Sequence, residues 1–103
     1  MKAENGVYLN SLYAEYGALL TESRREIFEL AFWSDLSLGE IAEIKGIKKQ
    51  SVADSLSASE KQLEFYEEKL GAVRFKADLN AEIDKLKDGR EKERLKAIVA
   101  GDF

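Results

Sequence analysis

The sequence predicts an all-α protein built around a helix-turn-helix. Three observations carry that expectation. Apolar residues recur at helical spacing through nearly the whole chain, no stretch of useful length alternates like a strand, and residues 37–56 hold the turn chemistry that joins two short helices. There is no proline, so only the seven glycines punctuate the chain. Five or six helices are expected.

The first helix shows its face at Leu9, Leu12, Tyr13, Tyr16, Leu19 and Leu20, which fall on one side at a period of 3.6. Thr21 has the chemistry of an N-cap for a second helix, whose buried face is Ile27, Phe28, Leu30 and Ala31. Phe32 and Trp33 close it before Ser34-Asp35. Ser37-Leu38-Gly39-Glu40 is a capping box, in which the serine hydroxyl takes the N3 amide and the glutamate reaches back. The short helix it opens carries Leu38, Ile41, Ala42 and Ile44, and Gly46 stops it where a left-handed residue is wanted.

A long helix starts near Lys48. Its apolar seam runs Val52, Leu56, Ser59, Leu63, Tyr66, Leu70 and Val73, with Ser59 the polar exception. Gly71 ends or kinks this helix, since a helical glycine costs about 1 kcal/mol relative to alanine. Phe75, Leu79, Ile83 and Leu86 mark a further helix, broken by Asp88-Gly89, and Leu95, Ile98 and Val99 mark a last one. The chain reads as one domain, 1–103, with a helix-turn-helix core over 7–60 and a helical extension over 61–103.

Composition removes several function classes. The 103 residues contain no histidine and no cysteine, which excludes zinc fingers, serine-histidine and thiol catalysis, and disulfide frameworks. Glutamate trios such as Glu22, Glu26, Glu29 and Glu64, Glu67, Glu68 lack any histidine partner and read as solvated helix surface. No phosphate-binding glycine loop is present. The expectation is a protein without catalytic residues, cofactor or metal. No apolar run exceeds four residues, as at Leu30–Trp33, and the N-terminal residues carry no signal-peptide core, so a cytoplasmic protein off the membrane is expected.

The helix-turn-helix signature lies in SLGEIAEIKGIKKQSVADSL, residues 37–56. Ala42 is small where helices cross, Gly46 makes the turn, Ile47 plugs it, and Val52 and Leu56 face the core. The second helix of such a pair enters a major groove in DNA-binding proteins, which makes Lys45, Lys48, Lys49, Gln50 and Ser51 the candidate nucleic-acid contacts. Arg24 and Arg25 are the nearest further cations. The net charge of -4 argues against strong duplex binding, because phosphate neutralisation supplies most nonspecific affinity. Tyr8, Tyr13, Tyr16, Phe28, Phe32 and Trp33 are at helical spacing and are expected in the core. Beyond Leu63 the long seam and the following helix outrun the motif. This predicts a homodimer through Leu70, Val73, Phe75, Leu79, Ile83 and Leu86.

LLTESRREIFELAF followed by DLSLGEIAEIKGIKKQSVADSL resembles region 4 of sigma factors, with its three- or four-helix core. Still nearer are the small YlxM-like bacterial helix-turn-helix proteins, whose genes neighbour those of the signal recognition particle GTPases. Phe65-Tyr66-Glu67-Glu68-Lys69-Leu70 matches the family's long-helix ending, and the resemblance spans about residues 8–88. It implies an accessory role in the signal recognition particle pathway, with the GTPase or its RNA as partner. The alternative is a transcription regulator acting through the 48–60 helix. Where the family pattern carries further basic residues, this chain has Ser55-Leu56-Ser57-Ala58-Ser59-Glu60, which weakens the expectation of DNA binding.

Overall fold

The computed structural model describes residues 3–101. It contains α1 (Ala3–Tyr16), α2 (Glu22–Phe32), α3 (Leu38–Lys45), α4 (Lys49–Leu70), α5 (Ala72–Ile83) and α6 (Arg90–Ala100), with a 3-10 turn at Gly17–Leu19. No strand occurs among the described residues. The chain forms two compact units, Met1–Leu70 and Gly71–Phe103. α4 therefore continues through the 60/61 boundary drawn on the sequence, and the division falls at its C-terminus.

Local chemistry explains the ends. Thr21 caps α2 by accepting from the Arg24 amide at 3.3 Å. Ser37 Oγ accepts from the Glu40 amide at 3.1 Å while Glu40 Oε1 accepts from the Ser37 amide at 3.0 Å, the reciprocal pair expected of a capping box. At the other end of α3, Gly46 sits at φ 66°, ψ 34°. Its amide donates to the Glu43 carbonyl at 3.3 Å and the Ile47 amide to the Ala42 carbonyl at 3.1 Å. Those two bonds make a Schellman turn, which satisfies carbonyls a helix end would otherwise strand.

In the N-terminal unit α4 is the spine, packing against α1, α2 and α3. Its Val52, Leu56, Ser59 and Leu63 are buried, facing a core that includes Leu9, Leu12, Tyr13 and Tyr16 from α1, Ile27 and Phe28 from α2, and Ile41 and Ala42 from α3. Each large apolar side chain buried here stabilises the fold by about 1.5–3 kcal/mol. Aromatic rings stack through the α1–α2 layer: Tyr13 on Phe28 at 4.3 Å and Phe28 on Phe32 at 4.4 Å between centroids. The tyrosine hydroxyls find partners as buried phenols must. Tyr13 donates to Glu29, and Tyr16 donates to Glu67 Oε1 at 2.6 Å.

Several sequence expectations need correction. Leu19 is exposed, because the α-helix gives way at Gly17 to a tighter turn that rotates Leu19 off the α1 face. Gly17 itself is held close: a Cβ there would meet the Tyr13 ring at 2.9 Å. Tyr8 and Trp33 are exposed rather than core, since the α1–α2 layer is already filled by Tyr13, Phe28 and Phe32. Ile47 plugs the turn only in part and remains 40% exposed. Ser59 is fully buried, and its Oγ has no hydrogen-bond partner among the described residues.

Gly71 ends α4 rather than kinking it, at φ 62°, ψ 20°. In the C-terminal unit α5 packs on α6. α5 stops at Ile83, so Leu86 lies in the following turn, its amide donating to the Ile83 carbonyl at 3.0 Å. Asp84 pairs with Lys96 at 2.6 Å and Asp88 with Lys92 at 3.0 Å. These lysines hold both carboxyls below the usual range through hydrogen bonds and charge.

Candidate nucleic-acid interface

α3, the turn at residues 46–48 and α4 form the two-helix motif read from the sequence. Lys48 lies just before α4, where its carbonyl accepts from the Val52 amide at 3.2 Å. Lys49, Gln50 and Ser51 make the first turn of α4, and all four of these side chains are exposed. A helix start of this kind presents free amides and the positive end of the dipole, so an anion is favoured there.

The structure does not gather all five candidate contacts on that surface. Lys45 turns back to α2 and forms an ion pair with Glu26. The Gln50 amide nitrogen donates to Asp54 Oδ1 at 2.9 Å, an i,i+4 bond along α4. Lys48, Lys49 and Ser51 remain as the solvent-facing group. Arg24 serves helix packing instead, its Nη1 donating to Gln62 Oε1 on α4 at 2.7 Å, and Gln62 passes the chain on to the Tyr66 hydroxyl at 2.7 Å. Arg25 is half-buried, with its Nε sealed from solvent. Further along α4, Asp54 and Ser57 are exposed, Ala58 is half-buried, and the next exposed cation is Lys61. The cationic surface of the motif is thus one helical turn long.

The model of the UPF0122 family, described as "Putative helix-turn-helix protein, YlxM / p13 like", matches residues 3–99, nearly the whole chain. The chain belongs to the UPF0122 family. A UPF0122 protein of Thermoanaerobacter sp. (strain X514) is 47% identical over 92 residues, covering 85% of this chain and 79% of the relative. One from Geobacillus kaustophilus (strain HTA426) is 42% identical over 85 residues, covering 82% and 77%. One from Streptococcus agalactiae serotype III (strain NEM316) is 43% identical over 70 residues, covering 68% and 64%.

In this UPF0122 chain the residues expected at a dimer contact do not share one environment. Leu70 at 64% and Phe75 at 66% are well exposed, Leu79 and Leu86 are exposed to a lesser degree, Val73 is half-buried, and Ile83 is buried. Three members of the glutamate trios have partners within the fold. Glu26 holds Lys45, Glu29 accepts from Tyr13, and Glu67 accepts from Tyr16. No helix among the described residues is long and apolar enough to cross a membrane.

The sequence reading missed a groove between α2 and α3. Trp33 and Ile44, 62% and 60% exposed, both line it. The only signal available was that Ile44 and Trp33 sit at the edge of their apolar stripes, which periodicity cannot distinguish from the middle.

Proposed function

We propose that this UPF0122 chain is a non-enzymatic, cytoplasmic accessory protein of the signal recognition particle pathway. It acts by binding the pathway's GTPase or its RNA, with the helix-turn-helix as scaffold. The pathway comes from the family resemblance. The observation that favours this role over transcription control is the internal use of Lys45 and Gln50, by Glu26 and Asp54. A groove-reading helix needs bidentate side chains and several phosphate contacts along its length, and here only Lys48, Lys49 and Ser51 are offered.

Two or three neutralised phosphates give a shallow salt slope, about -2 to -3 in log–log form. Duplex binding is therefore expected at micromolar affinity or weaker, and it is lost in a Lys48→Glu, Lys49→Glu variant. Fluorescence anisotropy over a salt series, on random duplex DNA and on signal-recognition-particle RNA, measures this. A nanomolar, sequence-selective DNA complex with a steep slope would overturn the role and favour a transcription regulator. Affinity capture from bacterial extract is expected to enrich the signal recognition GTPase or its RNA, and enrichment of RNA polymerase alone would overturn it.

We also propose a homodimer. α6 has no buried residue and α5 only Ile83, while Phe75, Leu79, Leu86, Leu95 and Ile98 are exposed. A helical unit of this size needs an added source of stability, and a second copy covering that apolar surface supplies it.

A further inference from the structure

Two cavities adjoin between α2 and α3, about 480 Å³ lined by Glu22, Ser23, Glu26, Ile27, Lys45 and Ile47, and about 350 Å³ lined by Glu26, Glu29, Leu30, Trp33, Ser34, Ile44 and Lys45. They share Glu26 and Lys45, so the two cavities lie side by side along α2 with that ion pair between them, and together they make a groove. The lining residues from Glu22 to Trp33, the C-cap of α2, span about three helical turns, or roughly 16 Å at 1.5 Å per residue. We propose that this groove docks a basic amphipathic helix presented by a protein partner.

Shape and apolar content set the first half of the argument. Leu30 forms part of the floor, while Trp33, Ile44 and Ile47 stand around it with large exposed areas. The exposed parts of these three side chains contribute nothing to the fold, and a soluble protein rarely clusters such side chains without a use. Trp33 is moreover held in place. Its Nε1 donates to Asn10 Oδ1 at 3.3 Å, and its ring stands edge-on to Tyr13 at 5.5 Å. An indole fixed before binding loses little freedom on contact, which is what makes tryptophan a frequent anchor of interfaces. A groove three turns long with an apolar floor fits the face of a helix, read as anchors at i, i+3 or i+4, and i+7.

Charge decides the occupant. Glu22, Glu26 and Glu29 line the groove, and its one cation, Lys45, is already matched by Glu26. An acidic lining repels phosphate, so the groove does not suit nucleic acid. It suits a helix with lysine or arginine flanking its apolar stripe, and complementary charge also raises the association rate. This inference rests on the reading above only in treating the protein as a binding protein. It names the chemistry of a protein partner and builds its site from residues other than Lys48 and Lys49.

Trp33 is the single tryptophan, so the groove carries its own reporter. The probe is a labelled synthetic 18-residue helix with a leucine stripe and lysines elsewhere, and its control replaces every lysine by glutamate. Titrated into the full chain, the basic peptide is expected to saturate, raise label anisotropy and shift Trp33 emission to the blue. Ile44→Glu, a change at an exposed site, is expected to weaken binding at least tenfold with the circular dichroism unchanged. Glu22→Lys, which leaves the Lys45 pair alone, is expected to weaken it several-fold. Equal binding of the acidic peptide, no emission shift, or full affinity in Ile44→Glu would overturn the proposal. A blue shift in peptide-free protein that grows with concentration and vanishes in Ile44→Glu would make the occupant a second copy and overturn it as well. Capture of the GTPase or RNA alongside failure of the peptide would sink the groove and leave the proposed function standing.

Discussion

Replacing Ser59 by alanine is expected to stabilise the protein. Ser59 lies in the middle of α4, fully buried, with its Oγ lacking a hydrogen-bond partner among the described residues. A buried hydroxyl without a partner costs about 1–3 kcal/mol of desolvation, and the alanine variant removes that cost. Alanine is also the better helix former, by a few tenths of a kcal/mol. Against this, one lost oxygen leaves a void of roughly 10 Å³, worth about 0.2 kcal/mol at ~24 cal/mol per Å³. The balance is a gain of about 1–3 kcal/mol. At about 4–8 °C per kcal/mol for a domain of this size, thermal unfolding should move up by at least 4 °C. Urea denaturation should show the same gain as a higher midpoint with an unchanged slope. A control, Ser59→Val, overpacks the same site between α4 and its neighbours and is expected to cost about 1–3 kcal/mol. If the alanine variant is instead less stable by 1 kcal/mol or more, the hydroxyl is bonded in solution and the reasoning fails. If the valine variant is more stable than wild type, the site is roomy rather than full.

Ser37→Ala removes the hydroxyl that accepts from the Glu40 amide and should cost about 1 kcal/mol in urea denaturation, whereas Ser37→Asp should retain most of it. Alkaline stability should fall between pH 10 and 12. Burial, and next the hydrogen bond to Glu29, raise the Tyr13 phenol from 10.0 to about 12. The unfolded chain therefore ionises first, and the contribution present below pH 10 is lost as pH rises through 12. Phenolate absorbance during denaturation at stepped pH would follow this, and Tyr13→Phe should flatten that part of the profile. For the homodimer, multi-angle light scattering at micromolar concentration should give about twice the 11.6 kDa chain mass, and Leu70→Lys with Leu79→Lys should return soluble monomer. A wild-type mass of one chain would refute the dimer.

What the sequence by itself determined were the features written in neighbouring residues. Ser37 and Glu40 are three residues apart, and their capping box needs nothing from the rest of the protein. Gly46 ends α3 in the left-handed region, a conformation whose steric cost falls on any side chain with a Cβ. The buried stretch Val52, Leu56, Ser59, Leu63 followed from spacing, because a helix places residues three and four apart on one face whatever it packs against. With these came the all-α class and the two-helix motif.

Only the tertiary structure decided which members of each stripe meet a neighbour. Periodicity selects Leu19, Trp33, Ile44 and Leu70 as apolar-face residues, yet all four are exposed, because burial requires a second element on that side and α1, α2, α3 and α4 each end near them. The candidate contacts divide the same way. Lys45 and Lys49 are alike in sequence, but one meets Glu26, nineteen residues earlier, and the other meets solvent. A pairing at that separation depends on the angle at which α2 and α3 cross. That angle is set by the packing of Ile27, Ile41, Ala42, Val52 and Leu56 together, a property of their joint volume rather than of any local run of residues.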